Sequence, residues 1–201
     1  MARYTGPRVR IIRRFLQELP GLTSKTTEAR PYPPGQHGPT SRSKPSSYRI
    51  RLDEKQKLRF NYGLSERQLR SYFKRATHIK GDKGHTLLAL LESRLDNLVF
   101  RAGFAPTIPG ARQLIQHGHV RINDKKVDIA SMMPRVGDTI ALAETSKVIP
   151  MVAASWASRA LEVPACLEVD DAKMQAKLVQ KPAREQVPFS IKEHLVVEFY
   201  S

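Results

Sequence analysis

The sequence contains one cysteine, Cys166, among 201 residues. One cysteine excludes an internal disulfide and a zinc site built from several cysteines, and such sparse usage is typical of proteins in a reducing compartment. The sequence also lacks any apolar run near the roughly 20 residues that cross a bilayer. Arginines interrupt the apolar residues Val9, Ile11 and Ile12, so the first residues do not resemble a secretory signal peptide. We therefore expect no membrane association.

Acidic residues are scarce in the first part of the chain. Residues 1–90 contain 20 lysines and arginines but only 6 aspartates and glutamates, whereas residues 91–201 contain 14 and 13. The net charge of the whole chain is +15, and its hydrophobic content is 40%, which excludes a disordered polycation. Positive charge concentrated in one part of a folded chain favours a polyanionic partner such as nucleic acid.

Catalytic motifs are absent as well. The sequence has no nucleophile elbow, zinc-protease motif, phosphate-binding loop or dinucleotide fingerprint, and no spaced set of cysteine and histidine ligands. We interpret Cys166 as a small buried hydrophobe. Glu168, Asp170 and Asp171 indicate either a divalent-ion site or an exposed acidic turn, and we favour the turn because no further ligands stand at motif spacing. Catalytic residues, cofactors and metal ions are therefore not expected.

The middle of the chain carries the clearest structural pattern. Leu95, Leu98, Val99 and Ala102 recur at helical spacing, and Gly103 can end that helix in a left-handed conformation. These residues predict an amphipathic helix whose apolar stripe faces a core.

A second helix and a hairpin are predicted next. Thr107 can cap the helix, and Pro109 is tolerated in its first turn. Apolar residues then alternate, Asn123 and Asp124 indicate a turn between two strands, and residues 136–140 indicate another turn and strand. The pattern predicts two short helices packed on a small antiparallel sheet. Six cations are left on the outside, as a solvated rim or a surface for a polyanion: Arg94, Arg101, Arg112, Arg121, Lys125 and Lys126.

The segment before this module contains two further predicted helices. One covers residues 49–62, and the next begins at Ser65, which can form a capping box with Gln68. Tyr72 and Phe73 could stack on bases, but their helical spacing favours the core. The opposite face carries Arg67, Arg70 and Lys74.

The two ends of the chain give weaker patterns. Prolines and glycines forbid regular structure over most of residues 1–47. This segment is either a flexible tail or an extension that follows RNA, and its arginines favour the extension. Towards the other end, a short helix is predicted over residues 152–161 and strands near residues 167–169 and 174–178. Residues 191–200 are apolar on both faces, which predicts a buried element.

Several of these segments resemble one protein family. Residues 91–115 are similar to the signature of the small RNA-binding module named after ribosomal protein S-four, which some pseudouridine synthases and tyrosyl-tRNA synthetases also contain. Residues 34–38, 54–69 and 191–200 resemble the ribosomal S-four family itself. Some members of that family bind zinc through clustered cysteines near residues 34–38. This sequence has no cysteine there, so we expect no zinc site.

The resemblance implies an α+β fold with an N-terminal extended arm, a helical domain and the S-four module. It implies a structural constituent of the small ribosomal subunit, in a bacterial cytoplasm or in a plastid or other organelle. Such a protein binds the 5′ domain of small-subunit rRNA, nucleates assembly, contacts ribosomal protein S-five, lies near the mRNA entry path and contributes to translational accuracy. The alternatives are an RNA-modifying enzyme or tRNA synthetase fragment that uses the same module, and a free-standing RNA chaperone.

The predicted organisation has four parts: a basic arm over residues 1–47, a helical rRNA-binding domain over residues 48–90, the RNA-binding module over residues 91–155, and a segment over residues 156–201 that packs back on the core. The predicted mechanism is positional, because cations hold folded RNA by its phosphates without any reaction. The predicted RNA-binding residues are Arg3, Arg8, Arg10, Arg13, Arg14, Arg49, Arg59, Arg67, Arg70, Lys74, Arg94, Arg112, Gln116, His119, Arg121 and Lys125.

Overall fold

The computed structural model describes residues 4–40, 44–144, 150–159 and 161–201. Arg3, one of the predicted RNA-binding residues, lies outside the described residues. In chain order the elements are α1 (Arg8–Phe15), α2 (Ser47–Asn61), α3 (Glu66–Thr77), α4 (Lys83–Glu92), α5 (Leu95–Arg101), α6 (Ile108–Gln116), β1 (Val120–Ile122), β2 (Lys125–Lys126), β3 (Thr139–Leu142), α7 (Pro150–Ala157), β4 (Leu167–Asp170), β5 (Gln175–Leu178), a 3-10 turn (Arg184–Gln186) and α8 (Glu193–Tyr200). These helices and strands confirm the predicted α+β class.

The chain forms two compact units. Unit 1 contains Met1–Leu87 and Phe189–Ser201, and unit 2 contains Leu88–Pro188. The segment predicted over residues 156–201 is therefore divided between the units, and the four-part organisation stays a prediction. Within the described ranges, no helix has both the length and the apolar character needed to cross a membrane.

Unit 1 is helical, and α8 packs against α2. Its core contains Leu58 and Leu69, which are both 0% exposed. Ser46 caps α2 by accepting a hydrogen bond from the backbone N–H of Arg49 (3.3 Å), so this helix begins two residues before the predicted start. Ile191 and Val196 join the core of unit 1, but Lys192, His194 and Glu198 are exposed, so residues 191–200 are only partly buried and the prediction of a buried element is wrong for one face.

The predicted arm is not extended throughout. It contains α1, which buries Ile11 and Ile12. The sequence pattern does not predict this helix because prolines and glycines dominate residues 1–47 and its own amphipathic run is only eight residues long. Burial of the two isoleucines, together with the exposed arginines, makes α1 strongly amphipathic.

Unit 2 contains the predicted pair of short helices and an antiparallel sheet. Helices α5 and α6 pack on each other, and the sheet has the strand order β2-β1-β3-β5-β4. Gly103 follows α5 with φ +94°, as the sequence predicts. Thr107 caps α6, since its Oγ1 accepts a hydrogen bond from the N–H of Gly110 (3.3 Å). Beyond residue 142, the predicted helix and strands correspond to α7, β4 and β5.

Candidate nucleic-acid interface

Helix α3 separates an apolar face from a cationic face. Its buried side chains are Leu69, Tyr72, Phe73 and Ala76, which confirms the interpretation of both aromatic residues as core. Its exposed cations are Arg67, Arg70, Lys74 and Arg75. Positions 67, 70 and 74 are three and four residues apart, so they form one stripe along the helix. We call Arg67, Arg70 and Lys74 the α3 stripe.

The start of α3 is fixed by the predicted capping box. Ser65 Oγ accepts a hydrogen bond from the N–H of Gln68 (3.3 Å), and Gln68 Oε1 accepts one from the N–H of Ser65 (3.0 Å). The α3 stripe therefore stands on a helix whose first turn is hydrogen-bonded and whose apolar face is buried. Such a mounting fixes the backbone positions of the three cations along one face of the helix.

The N-terminal arginines differ in what they contact. Arg10 is exposed. Arg13 instead donates from Nε to the carbonyl oxygens of Arg30 (3.2 Å) and Tyr32 (3.1 Å), and its guanidinium lies 4.9 Å from the Tyr32 ring centroid. Arg8 donates from Nη1 to the carbonyl oxygen of Leu22 (3.4 Å). Arg8 and Arg13 thus hold the following loop against α1, whereas Arg10 faces solvent.

Two further arginines share one carboxylate. Arg14 and Arg49 approach Asp53 at 3.4 Å and 3.5 Å, and both arginine side chains are about half exposed. Exposed ion pairs of this kind stabilise a protein little and exchange readily for another anion. Arg59 is half-buried, with its guanidinium 4.4 Å from the ring centroid of Phe60. Arg14 and Arg49 are the better placed of these three to meet a phosphate.

A two-stranded hairpin carries cations in unit 2. Arg121 of β1 and Lys125 of β2 are exposed, and Lys126 pairs in register with Arg121. The predicted turn is present, with Asn123 at φ +47° and Asp124 at φ +63°, the two left-handed residues typical of a tight hairpin. The hairpin therefore projects its cations from a short, rigid turn.

The side chain of Asn123 ties this turn to β3. Its Oδ1 accepts a hydrogen bond from the N–H of Thr139 (3.0 Å), and its Nδ2 donates to Asp138 Oδ1 (2.9 Å). Asp138 Oδ2 also accepts from the N–H of Arg135 (2.8 Å). The hydrogen bond from the Arg135 backbone, followed by that from Asn123, lowers the pKa of Asp138 below its ordinary value. A chain of hydrogen bonds thus fixes the orientation of the hairpin tip.

Two polar residues lie close to the connection between α6 and β1. Gln116 is exposed at the end of α6, and His119 is half-buried immediately before β1. The His119 ring centroid is 6.1 Å from that of His117. Both predicted residues therefore reach the surface on the approach to the hairpin.

The expectation that all six cations of unit 2 face outward is wrong for Arg94 and Arg101, which are buried, and only partly right for Arg112, which is half-buried. Arg94 is 2% exposed, Arg101 is 6% exposed, and the Arg112 side chain is 14% exposed. Arg94 and Arg112 both bind the carboxylate of Asp96, and Arg101 donates to the carbonyl oxygen of Gln186 (2.9 Å). Helical periodicity assigns charged residues to the solvent face, but pairing with the buried Asp96 carboxylate offsets part of the cost of burying Arg94. Arg94 is accordingly a structural residue, and we no longer include it among the proposed RNA contacts.

The residues considered for catalysis or metal binding are one buried cysteine and three exposed acidic residues. Cys166 is 1% exposed, and burial, with a contribution from Glu92, raises the pKa of its thiol to about 11, so the thiol stays protonated and unreactive. Glu168, Asp170 and Asp171 are exposed as predicted, but Glu168 and Asp170 lie in strand β4 and only Asp171 belongs to the turn that follows it. Across the part of the chain that the structure describes, no three histidine, cysteine, aspartate or glutamate side chains are grouped as a metal site requires.

Next to the α3 stripe and on the hairpin lie two exposed cations, Arg75 and Lys126, that were not among the predicted RNA-binding residues. Arg75 lies beside the α3 stripe, with its guanidinium 5.6 Å from the Tyr72 ring centroid. Lys126 lies in β2, and its side chain covers Gly118, where a Cβ atom would clash with Lys126 Cε. The position of Arg75 on α3, directly after Lys74, would have identified it as an exposed cation. The pairing of Lys126 with Arg121 across the hairpin would have identified Lys126.

Comparisons with known proteins cover the whole chain. Residues 3–92 match the family model described as "Ribosomal protein S4/S9 N-terminal domain", and residues 93–140 match the model "S4 domain". The chain is 55% identical to small ribosomal subunit protein uS4 of Synechococcus elongatus and 54% identical to that of Prochlorococcus marinus strain MIT 9303. It is 51% identical to the uS4 protein of Methylobacillus flagellatus. Each comparison covers 100% of this chain and 98% of the relative.

Proposed function

The chain belongs to the family of small ribosomal subunit protein uS4, and we propose that it binds small-subunit rRNA by holding phosphates on rigidly mounted cations. As a member of this family it is a structural constituent of the small ribosomal subunit. The relatives are bacterial proteins, several of them cyanobacterial, so the ribosome concerned is of bacterial type.

The α3 stripe is the observation that carries the mechanism. Three exposed cations stand on one face of a capped helix whose other face is buried. Folded RNA presents phosphates along its backbone, and each cation that meets one releases condensed counterions. Because the helix is already formed, only the side chains of these cations, and not their backbone, have to be ordered when RNA binds. The proposed contacts of unit 1 are Arg10, Arg14, Arg49, Arg67, Arg70, Lys74 and Arg75.

The hairpin of unit 2 supplies a second set of contacts. Arg121, Lys125 and Lys126 are exposed on the two strands, and Gln116 and His119 lie on the approach to them. Contacts of this kind position RNA by its phosphates and sugars, and RNA helices are recognised mainly by shape. The protein therefore needs no chemical reaction to organise rRNA.

The finer role follows from the family resemblance. We propose that the rRNA site lies in the 5′ domain of small-subunit rRNA and that binding there nucleates assembly. We also propose contact with ribosomal protein S-five and a position near the mRNA entry path, where the protein contributes to translational accuracy. Ribosomes of a bacterial cytoplasm or of a plastid are the corresponding locations.

The enzyme alternative receives less support. An RNA-modifying enzyme or a synthetase fragment shares only the S-four module with a ribosomal protein, whereas here residues 3–92 also match a ribosomal family model. The uS4 relatives match over 98% of their own length. A ribosomal protein family is not an enzyme family, and we propose that this chain has no catalytic activity.

Sedimentation tests the proposal. The full chain is added to bacterial small subunits lacking uS4 and centrifuged through a sucrose gradient. We expect it to co-sediment with the small-subunit peak at one copy per subunit and to resist a moderate-salt wash. Recovery at the top of the gradient would contradict the ribosomal role, and substoichiometric, salt-labile association would favour a free RNA chaperone.

A further inference from the structure

Asp96 is buried between two arginines of unit 2. It lies in the first turn of α5 and is 0% exposed. Arg94 meets its carboxylate as a fork, with Nε 3.0 Å from Oδ1 and Nη2 2.8 Å from Oδ2. Arg112, from α6, donates to Oδ2 from Nε at 3.1 Å and from Nη2 at 2.5 Å. We call Arg94, Asp96 and Arg112 the Asp96 clamp.

The backbone fixes the carboxylate from its other side. Asp96 Oδ1 accepts a hydrogen bond from the N–H of Asn97 (3.0 Å), and the N–H of Asp96 donates to the carbonyl oxygen of Ala130 (3.1 Å). The N–H of Leu95 donates to the carbonyl oxygen of Met132 (2.8 Å). Because the carboxylate is fixed by these bonds and by Arg94, the direction in which it holds the Arg112 guanidinium is fixed as well.

Arg112 differs from the rest of the clamp in its exposure. Its side chain is 14% exposed, compared with 2% for Arg94 and 1% for Asp96. Gln113 and Gln116, on the same helix, are exposed. Arg112 is therefore the member of the clamp that reaches the surface, beside α6. A phosphate that approaches there meets an arginine whose rotamer is already ordered.

We infer that Asp96 is a positioning residue for RNA binding, which acts by holding the Arg112 guanidinium in the orientation that meets an rRNA phosphate. The inference rests on the proposed function. A different role for Asp96 is simple neutralisation of the arginines. The two roles predict opposite effects of the Asp96 carboxylate on the affinity for rRNA. A neutralising carboxylate lowers the affinity, whereas a positioning carboxylate raises it.

The substitution Asp96→Asn separates the two roles. It adds one positive charge, so neutralisation predicts tighter binding of protein-free small-subunit rRNA by the full chain. Positioning predicts weaker binding by roughly tenfold, the value of one charge-assisted hydrogen-bond contact. Arg112→Gln is expected to weaken binding to the same extent. The double variant is expected to bind no more weakly than Arg112→Gln, because Asp96 acts through that residue.

Asp128→Asn is the matched control. Asp128 is exposed in unit 2, and its substitution makes the same charge change without touching the clamp. We expect it to bind as tightly as the wild type or slightly more tightly. Circular dichroism and the fluorescence of Trp156 establish that each variant is folded. Where Asp96→Asn does not fold, Asp96→Glu takes its place, since it keeps the charge but moves the carboxylate by one methylene.

The outcomes distinguish this inference from the proposed function. Wild-type protein that fails to bind the rRNA contradicts the proposed function itself. Wild-type binding together with unchanged or tighter binding by Asp96→Asn overturns only the inference. Additive losses in the double variant also overturn it. Arg112→Gln leaves the fork between Arg94 and Asp96 in place, so unchanged binding by that variant overturns the inference whatever the Asp96 variants do.

Discussion

The C-terminal helix offers a quantitative test of how unit 1 is held together. Tyr200 of α8 donates a hydrogen bond from its hydroxyl to Glu66 Oε1 (2.8 Å), and its ring stacks on Phe73 with centroids 4.8 Å apart. Glu66 also accepts a hydrogen bond from Lys55 Nζ (3.0 Å), whose ammonium lies 4.2 Å from the Phe199 ring centroid. Removing the Tyr200 side chain in two steps therefore separates the hydroxyl from the ring.

We expect Tyr200→Phe to lower the free energy of unfolding of unit 1 by about 1 kcal/mol. A hydrogen bond to a charged group is worth roughly 1.5–3 kcal/mol, but the Glu66 side chain is 43% exposed and keeps its bond to Lys55, which reduces the loss. Tyr200→Ala also removes the half-buried ring, so its total cost is about 3 kcal/mol.

Hydrogen exchange of peptides from α2 and α3 measures these costs directly. Protection factors are expected to fall roughly fivefold for Tyr200→Phe and more than a hundredfold for Tyr200→Ala. Tyr48→Phe is the matched control, because Tyr48 is 62% exposed, and its ring also contacts α8, at Phe199. Equal effects of Tyr200→Phe and Tyr48→Phe would refute the assigned hydrogen bond. Fluorescence of Trp156 checks that unit 2 remains folded.

The same contact has a pH signature. Burial would raise the pKa of Glu66, but hydrogen bonds from Lys55 and Tyr200 outweigh it and hold the pKa below its ordinary value of 4.5. A lowered carboxylate pKa contributes stability above the unfolded value, and this contribution is lost as the pH falls through the folded value. The destabilisation caused by Tyr200→Phe should therefore shrink below pH 4.5, and a constant difference down to strongly acidic pH would contradict the assignment.

Two further predictions concern unit 2. The pKa of Asp138 should lie below its ordinary value of 3.8, so an NMR titration of the Arg135 amide in the wild type should give a midpoint below 3.8. The substitution Asn123→Ala should move this midpoint upward. A wild-type midpoint at or above 3.8 would show that these hydrogen bonds are absent. Thr107→Ala removes the acceptor of the Gly110 N–H and should cost about 1 kcal/mol in urea unfolding followed by Trp156 fluorescence, because capping substitutions of this kind typically cost that much. An unchanged midpoint would show that the cap contributes nothing.

Short-range signals made much of this fold predictable from the sequence. The capping box of Ser65 and Gln68, the Thr107 cap and the turn at Asn123 and Asp124 each depend on residues within three positions of one another. Their physics is contained in a few neighbouring side chains and backbone dihedral angles. The apolar stripes of α3 and α5 follow from helical spacing for the same reason.

The Asp96 clamp shows why the site was predicted less well. Periodicity places a charged residue on the solvent face, and by that rule Arg94 becomes an RNA contact. Arg94 is buried instead because it pairs with Asp96, which is only two residues away. Asp96 in turn also pairs with Arg112, which is sixteen residues further along the chain on another helix. Burial of an arginine depends on this three-dimensional meeting, which sequence spacing does not encode.

Long-range packing explains the other differences. Lys55 is 5% exposed because α8, more than 130 residues later, covers it. The sequence predicts that residues 191–200 are buried but not which unit they join. Two contacts with α2 attach this segment to unit 1. The backbone N–H of Lys192 donates to Glu54 Oε2 (3.0 Å), and Arg51 pairs with Glu198 (2.8 Å).

Salt-dependent binding of rRNA by the α3 stripe tests the central claim most directly. The full chain and the variant Arg67→Gln/Arg70→Gln/Lys74→Gln are bound to protein-free small-subunit rRNA on filters at several salt concentrations. The matched control is Lys173→Gln/Lys177→Gln/Lys181→Gln, which removes three exposed cations from the near-neutral part of the chain. We expect the α3 variant to bind more weakly and its slope of log affinity against log salt to be less steep by about 2–3, since each phosphate contact contributes roughly 0.7–0.9. Equal slopes and affinities for the two triple variants would contradict the account.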